Sequence, residues 1–167
     1  IVASSLPLFA FGPPPQTGNV TVATTGDISA TTGTAIDASS ARGTVLVTTA
    51  AGTTLTAGTI GINARSTGIG DGGVDGVNDG NVTVVSNGAI GTTVTSVGGN
   101  GVQATITQPT SAGAISVTTA SVYAGGNGIQ VANGGTGTST VSTTGTVRGV
   151  ADGVNLTSNG AFSVTAG

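Results

Sequence analysis

Short segments that alternate apolar and polar residues recur along the whole chain. In six of them valine occupies the fourth position, as in Asn-Val-Thr-Val at residues 19–22. Alternation with a period of two predicts β-strands whose successive side chains point to opposite faces. We therefore expect the six valines to point inward and to form one buried column: Val22, Val47, Val84, Val117, Val141 and Val164.

A second motif lies between the copies of the first. It reads small residue, Ile or Val, Asp, Asn or Gln, and then an apolar residue, at 35–38, 61–64, 101–104, 128–131 and 153–156. A third, weaker apolar position separates the two motifs, at Ile28, Leu55, Ile90 or Val94, Val122 and Val147. Each repeat is thus predicted to hold three short strands. The polar position of the second motif predicts an exposed ladder of stacked side chains, formed by Asp37, Asn63, Gln103, Gln130 and Asn155.

The spacing of the valines favours a solenoid. Successive valines lie 23 to 37 residues apart, and a solenoid coil accommodates such variation as loops that bulge from the rod. The prediction is an all-β, right-handed parallel β-helix of about five to six coils. At one strand spacing per coil the rod is roughly 25–30 Å long.

An antiparallel sandwich is the alternative fold. Its hairpins would lie at the Asn-Gly pairs, which are Asn87-Gly88, Asn100-Gly101, Asn127-Gly128, Asn133-Gly134 and Asn159-Gly160. In a solenoid the same pairs would lie at corners, where a left-handed backbone conformation favours glycine.

The composition excludes several kinds of chemistry. The chain has no Cys and no His, so zinc sites, Cys–His nucleophile pairs and Ser-His-Asp triads are excluded. Charged residues make up only 5% of the chain and the net charge is −3, which disfavours nucleic acid as a partner. Polysaccharide lyases and hydrolases share the β-helix fold. A lyase base would be Lys or Arg, and there is no lysine; a hydrolase needs converging carboxylates, whereas the aspartate cluster at 71–79 lies on one predicted loop. We expect neither an enzyme nor a cofactor.

The first seventeen residues differ from the rest. Residues 1–17 form an apolar N-terminal segment with a proline hinge at 13–15, and residues 18–167 form the solenoid domain. The segment is either a strand that packs on the domain, the remnant of a secretory signal, or a strand donated to a neighbouring copy. Solenoid ends expose unpaired strand edges, and low charge gives little repulsion. The residues expected to mediate self-association are Ile1, Val2, Leu6, Leu8, Phe9, Phe11, Phe162 and Val164.

Three aspartates, Asp71, Asp75 and Asp79, lie close together in a glycine-rich stretch. Oxygen ligands on a flexible loop suit calcium, but the EF-hand pattern fails because Val77 takes a ligand position and no Glu follows. They are therefore only a weak calcium candidate. We expect residues 66–80 to be a solvated loop that leaves the rod and needs no metal.

Other surface features carry weaker signals. Outward threonine pairs on the valine strands would suit ice binding, but only some of these pairs are rich in threonine. Asn19, Asn81 and Asn155 each begin an Asn-X-Thr glycosylation motif, which chance explains in a chain so rich in both residues. The three arginines, Arg42, Arg65 and Arg148, are expected near corners as solubilising charges.

The Thr-, Gly-, Ala- and Val-rich coils, the Asn-Val-Thr-Val and Gly-Ile-X-Ala strands and the absence of Cys resemble one family. They are similar to the passenger region of bacterial autotransporters, the right-handed parallel β-helix of cell-surface adhesins and related filamentous surface proteins. The resemblance covers about residues 18–167 and transfers no catalytic residue.

The resemblance implies a non-enzymatic, extracellular structural and adhesive β-solenoid at a bacterial cell surface. Its partners would be further copies of itself and a host or neighbouring-cell surface, with no nucleic acid and no insertion into a membrane. The alternative is a subunit of an extracellular filament, in which coils stack end to end and the N-terminal segment docks on a neighbour. Ice binding is a minor alternative.

Overall fold

The computed structural model describes residues 1–5, 18–67 and 80–167 of the chain. These residues form seventeen short β-strands in three sheets, and the described part of the chain contains no helix. Threonine, valine and glycine dominate the sequence, and such residues favour strands and corners over helices.

The strands belong to sheets that we name A, B and C. Sheet A contains β1 (Val2–Ser5), β4 (Ile36–Ser40), β7 (Ile62–Ser66), β10 (Val102–Ile106), β13 (Ile129–Asn133) and β16 (Val154–Ser158). Sheet B contains β2 (Val20–Thr24), β5 (Val45–Thr49), β8 (Val82–Ser86), β11 (Ile115–Thr119), β14 (Ser139–Thr143) and β17 (Phe162–Ala166). Sheet C contains β3 (Ile28–Ala30), β6 (Thr54–Ala57), β9 (Ala89–Ile90), β12 (Val122–Ala124) and β15 (Val147–Gly149).

The chain visits the sheets in the fixed order B, C, A. Five complete coils follow one another, with β1 before the first and β17 after the last. All strand pairs in the described residues are parallel and join equivalent strands of successive coils. The fold is therefore the predicted right-handed parallel β-helix of about five to six coils, and the antiparallel sandwich is excluded.

The six valines of sheet B share one register position. Val22 pairs with Val47, and the pairing continues through Val84, Val117 and Val141 to Val164. The first five are buried. Val164 differs from the expectation because it is 50% exposed, and no coil of the described chain covers β17.

Sheets A and C complete the core. In sheet A the residue that follows the small residue of the second motif is fully buried in four coils, at Ile36, Ile62, Val102 and Ile129. In sheet C the inward position holds Leu55, Ile90 and Val122. Ile90, not Val94, is the third apolar position of its coil, since Ile90 is fully buried and Val94 is 92% exposed.

Val94 is exposed because residues 91–96 form a turn that leaves sheet C. The Thr92 N–H donates to Thr95 O at 2.8 Å, and the Thr95 N–H donates to Thr92 Oγ1 at 2.8 Å. The chain rejoins the sheet at Val97, which bridges to Ala124 and is fully buried. A coil can thus be lengthened locally while its inward positions are kept.

The Asn-Gly pairs predicted that corner glycines adopt a left-handed backbone conformation. The structure shows a different reason for glycine at the corners. Among the described residues only Gly52 (φ 76°) and Gly91 (φ 67°) have positive φ, so none of the five Asn-Gly pairs is left-handed at its glycine. At Gly128 a Cβ atom would lie 2.6 Å from Val147 Cγ1 and 2.5 Å from Gly153 O. Glycine is needed there because the coils stack closely.

The connections from sheet A to sheet B vary most in length from coil to coil. One has four residues at 41–44 and another has eight at 107–114, whereas fifteen residues separate β7 from β8. Ser66 ends β7, and the Gly80 N–H donates to Arg42 O at 2.8 Å. The rest of the expected excursion, residues 68–79, lies outside the described residues.

Arg42 does not act as the exposed solubilising charge that we expected. It is only 5% exposed, because it lies in the short corner 41–44, against which the next coil packs through Gly80. Arg65 and Arg148 occupy strands β7 and β15.

Adjacent valines on β8 test the inward register. Val84 is fully buried, whereas Val85 lies on the outward face. We expect Val84→Ala to lower the free energy of unfolding by about 1–2.5 kcal/mol through lost burial and a cavity. Val85→Ala should change it by less than about 0.5 kcal/mol. Urea denaturation of the two variants measures the difference, and equal losses would contradict the register.

Two glycines test the close stacking of the corners. Gly128→Ala should cost about 1–3 kcal/mol, because the added methyl has no space between successive coils. Gly26→Ala is the matched control, since a Cβ atom there meets nothing within 4 Å, and it should be neutral or slightly stabilising. The midpoints of thermal unfolding distinguish the two outcomes. A tolerated Gly128→Ala would show that the corner is not closely packed.

Candidate functional surface

Sheet B presents the most regular outward face of the rod. Because its strands pair in register, each outward position forms a column along the rod. One column holds Thr21, Leu46, Thr83, Ser116, Thr140 and Ser163, and the other holds Ala23, Thr48, Val85, Thr118, Ser142 and Thr165. Neither column contains a charged residue. Nine of these twelve positions are Thr or Ser, so the face offers hydroxyl groups in every coil, interrupted within the columns at Leu46, Ala23 and Val85.

The predicted polar ladder occupies one register position of sheet A. Asp37 pairs with Asn63, Asn63 with Gln103, and Gln103 with Gln130, and the series ends at Asn155. Asn63 Nδ2 donates to Asp37 Oδ1 at 3.0 Å. This hydrogen bond joins two neighbouring members of the ladder, but Asn63 is buried and the other four members are half-buried, whereas an exposed ladder was expected.

Other ladder members bond to residues at the corner between sheets C and A. Asn100 Nδ2 donates to Gln130 Oε1 at 2.6 Å, and Asn155 Nδ2 donates to Asp152 Oδ2 at 3.0 Å. The motif did not reveal these partners, because Asn100 and Asp152 lie just before it. The ladder side chains therefore form hydrogen bonds both between successive coils and between a strand and its neighbouring corner.

A single ion pair accompanies the ladder among the described residues. Arg65 Nη2 lies 3.6 Å from Asp37 Oδ2, and the Arg65 side chain is 44% exposed. An exposed pair of this kind contributes little to stability. It leaves sheet A with a local, nearly neutral polar patch in the first two coils.

Side-chain oxygens at strand starts form contacts between coils that sequence reasoning missed. Asn19 Oδ1 accepts the Thr44 N–H at 2.9 Å, and Asn81 Oδ1 accepts the Ala114 N–H at 2.8 Å. In sheet C, Asp27 Oδ1 accepts the Thr54 N–H at 2.7 Å. The signal in the sequence is an Asn or Asp directly before an alternating segment. Asn19 and Asn81, which begin glycosylation motifs, thus have their amide oxygens engaged.

The two ends of the rod expose apolar side chains. Phe162 and Val164 in β17 are 66% and 50% exposed, and Ile1 and Val2 at the other end are 56% and 79% exposed. Strand β1 pairs with β4 of the same chain, and the N-terminal amine donates to Ala35 O at 2.7 Å. The remaining residues expected to mediate self-association, Leu6, Leu8, Phe9 and Phe11, lie outside the described residues.

The weak calcium candidate also lies outside the described residues, since Asp71, Asp75 and Asp79 fall within 68–79. The described residues contain no group of three or more acidic, His or Cys side chains that could hold a metal ion. A shallow groove of about 270 Å³ lies beside sheet C, lined by Ser29, Thr56 and Thr95 among others. No helix of the described residues could span a membrane.

Comparison with known proteins gives no match to a family model, a curated protein or a solved structure. Functional inference therefore depends on the residues and their arrangement.

Asn81 provides a test of the contact between coils. Asn81→Ala removes the acceptor of the Ala114 N–H and should cost about 0.5–1.5 kcal/mol. Asn81→Asp keeps the oxygen and should retain most of the stability. Urea denaturation compares the two variants, and equal losses would show that the hydrogen bond is not the stabilising feature.

Proposed function

We propose that this chain is a non-enzymatic, extracellular structural and adhesive β-solenoid, similar in kind to the passenger regions of bacterial autotransporters. The observation that carries the proposal is the in-register stacking of equivalent outward residues. Stacking turns a small repeat into a rod whose sheet B face carries two columns of uncharged residues, most of them Thr or Ser.

Repetition is what suits such a surface to adhesion. One hydroxyl group contributes a net hydrogen-bond energy of only about 1 kcal/mol, too little for binding by itself. The two columns on sheet B place twelve outward positions on one rigid face. Because these groups are held together, weak contacts act at a high effective concentration. A host or neighbouring-cell surface with repeated neutral hydrogen-bonding groups is the proposed partner.

Self-association is the second part of the proposal. Strand β17 carries Phe162 and Val164 on its inward side, and both remain exposed. No strand of the described chain pairs with the outer edge of β17, and backbone groups at such an edge pair readily with another strand. The first strands of another copy fit this edge by the parallel pairing that joins the coils. Filament growth by end-to-end stacking, the alternative function, uses the same contact.

A bead assay tests the proposal. Beads coated with the folded chain should attach to bacterial or host cells and should clump with one another. Val117→Asp places a charge in the core and breaks the solenoid with almost unchanged composition, so beads carrying it should do neither. Equal attachment by both proteins would overturn the proposal, because adhesion would then not depend on the fold.

A matched pair of variants on β17 tests whether association depends on its inward side chains or on its outward ones. Phe162→Asp changes an inward, exposed position, whereas Thr165→Asp adds the same charge on the outward face of the same strand. Phe162→Asp should abolish clumping and shift the sedimenting species towards monomer, and Thr165→Asp should leave both unchanged. Clumping that survives Phe162→Asp would contradict association through this end.

A further inference from the structure

The five Asn-Gly pairs differ in how firmly the structure holds them. Asparagine followed by glycine is the dipeptide most prone to spontaneous deamidation, because glycine has no side chain to hinder ring closure. We propose that Asn87 is the site of spontaneous deamidation in the folded protein, and that stacking of the coils protects the pairs at Asn100, Asn127 and Asn133.

The reaction needs freedom at two groups. The backbone nitrogen of Gly88, after loss of its proton to hydroxide, attacks Asn87 Cγ and forms a new N–C bond. The Cγ–Nδ2 bond breaks and ammonia leaves, giving a succinimide ring. Water then opens the ring at either carbonyl and yields aspartate or isoaspartate. The reaction consumes one water, releases one ammonia and involves no oxidation.

Asn87 meets both requirements. It lies at the corner between β8 and β9, and its side chain is exposed. The Asn87 N–H donates to Thr49 O at 3.2 Å, which holds the backbone at the corner. Asn87 is exposed and Gly88 is buried against the preceding coil, but among the described residues no hydrogen bond holds the Gly88 N–H or the Asn87 amide.

In three other pairs the glycine N–H is not free, because it donates a backbone hydrogen bond to an adjacent coil. Gly101 N–H donates to Asn127 O at 3.0 Å, Gly128 N–H to Asp152 O at 2.8 Å, and Gly134 N–H to Ile106 O at 2.8 Å. The Asn133 side chain is also only 2% exposed and bonds through both Nδ2 and Oδ1. Attack at these sites requires local opening of a coil.

Asn159 is the intermediate case. It is exposed, and the described residues provide no acceptor for the Gly160 N–H. Its side chain is held, however, because Asn159 Nδ2 donates to Gly134 O at 2.7 Å. We therefore expect Asn159 to react more slowly than Asn87 and faster than the three protected sites.

Modification would alter the corner between sheets B and C. It places a negative charge beside the uncharged face of sheet B. Isoaspartate also lengthens the backbone by one carbon next to Gly88, where a Cβ atom would already contact the Thr53 side chain. Deamidation would thus change both the charge and the packing of the third coil.

Timed incubation of the folded chain in mildly alkaline buffer, followed by proteolysis and mass spectrometry, measures all five sites together. Asn87 should gain the mass of an NH2-to-OH exchange at least about tenfold faster than Asn127, because freeing a ladder N–H requires opening. In denaturant the two rates should become similar. Asn87→Gln should remove the fast signal and leave the other sites unchanged. The proposal is overturned if Asn127 or Asn133 reacts as fast as Asn87 in the folded chain.

Discussion

The structure depends on one interaction, the parallel pairing of each strand with the equivalent strand one coil away. Interior strands of the three sheets pair on both sides, so neighbouring coils satisfy their backbone groups. Strand spacing then places each side chain directly above its counterpart. Side chains at one register position must therefore pack against one another. This requirement explains why valine recurs at the inward position of sheet B and why the outward positions beside it are uncharged.

Stacking is most demanding at the corners. Where backbones of successive coils approach closely, glycine is the residue that fits, as at Gly128 beneath Val147. Where a strand begins, an Asn or Asp oxygen supplies an acceptor to the next coil, as Asn81 does for Ala114. A corner that leaves the stack is free to lengthen, as the turn at 91–96 shows. Strands of regular length and connections of varying length therefore follow from a single constraint.

Features that repeat could be predicted from the sequence, and features that depend on position along the rod could not. The spacing of Val22 and its equivalents predicts the solenoid, and the second motif predicts the register of Asp37 with Asn63. Periodicity does not reveal that Val164 is half exposed or that Arg42 is buried. Periodicity also does not show which Asn-Gly pairs have a hydrogen-bonded glycine N–H, because these backbone hydrogen bonds join residues far apart in sequence.

Distances between outward positions of sheet B test the stacking most directly. The chain has no cysteine, so cysteines introduced at Thr21, Thr140 and Ser163 can carry spin labels for pulsed electron paramagnetic resonance. Stacking at one strand spacing per coil predicts about 19 Å between positions 21 and 140 and about 24 Å between positions 21 and 163. A distance from position 21 that fails to increase between positions 140 and 163 would contradict the solenoid.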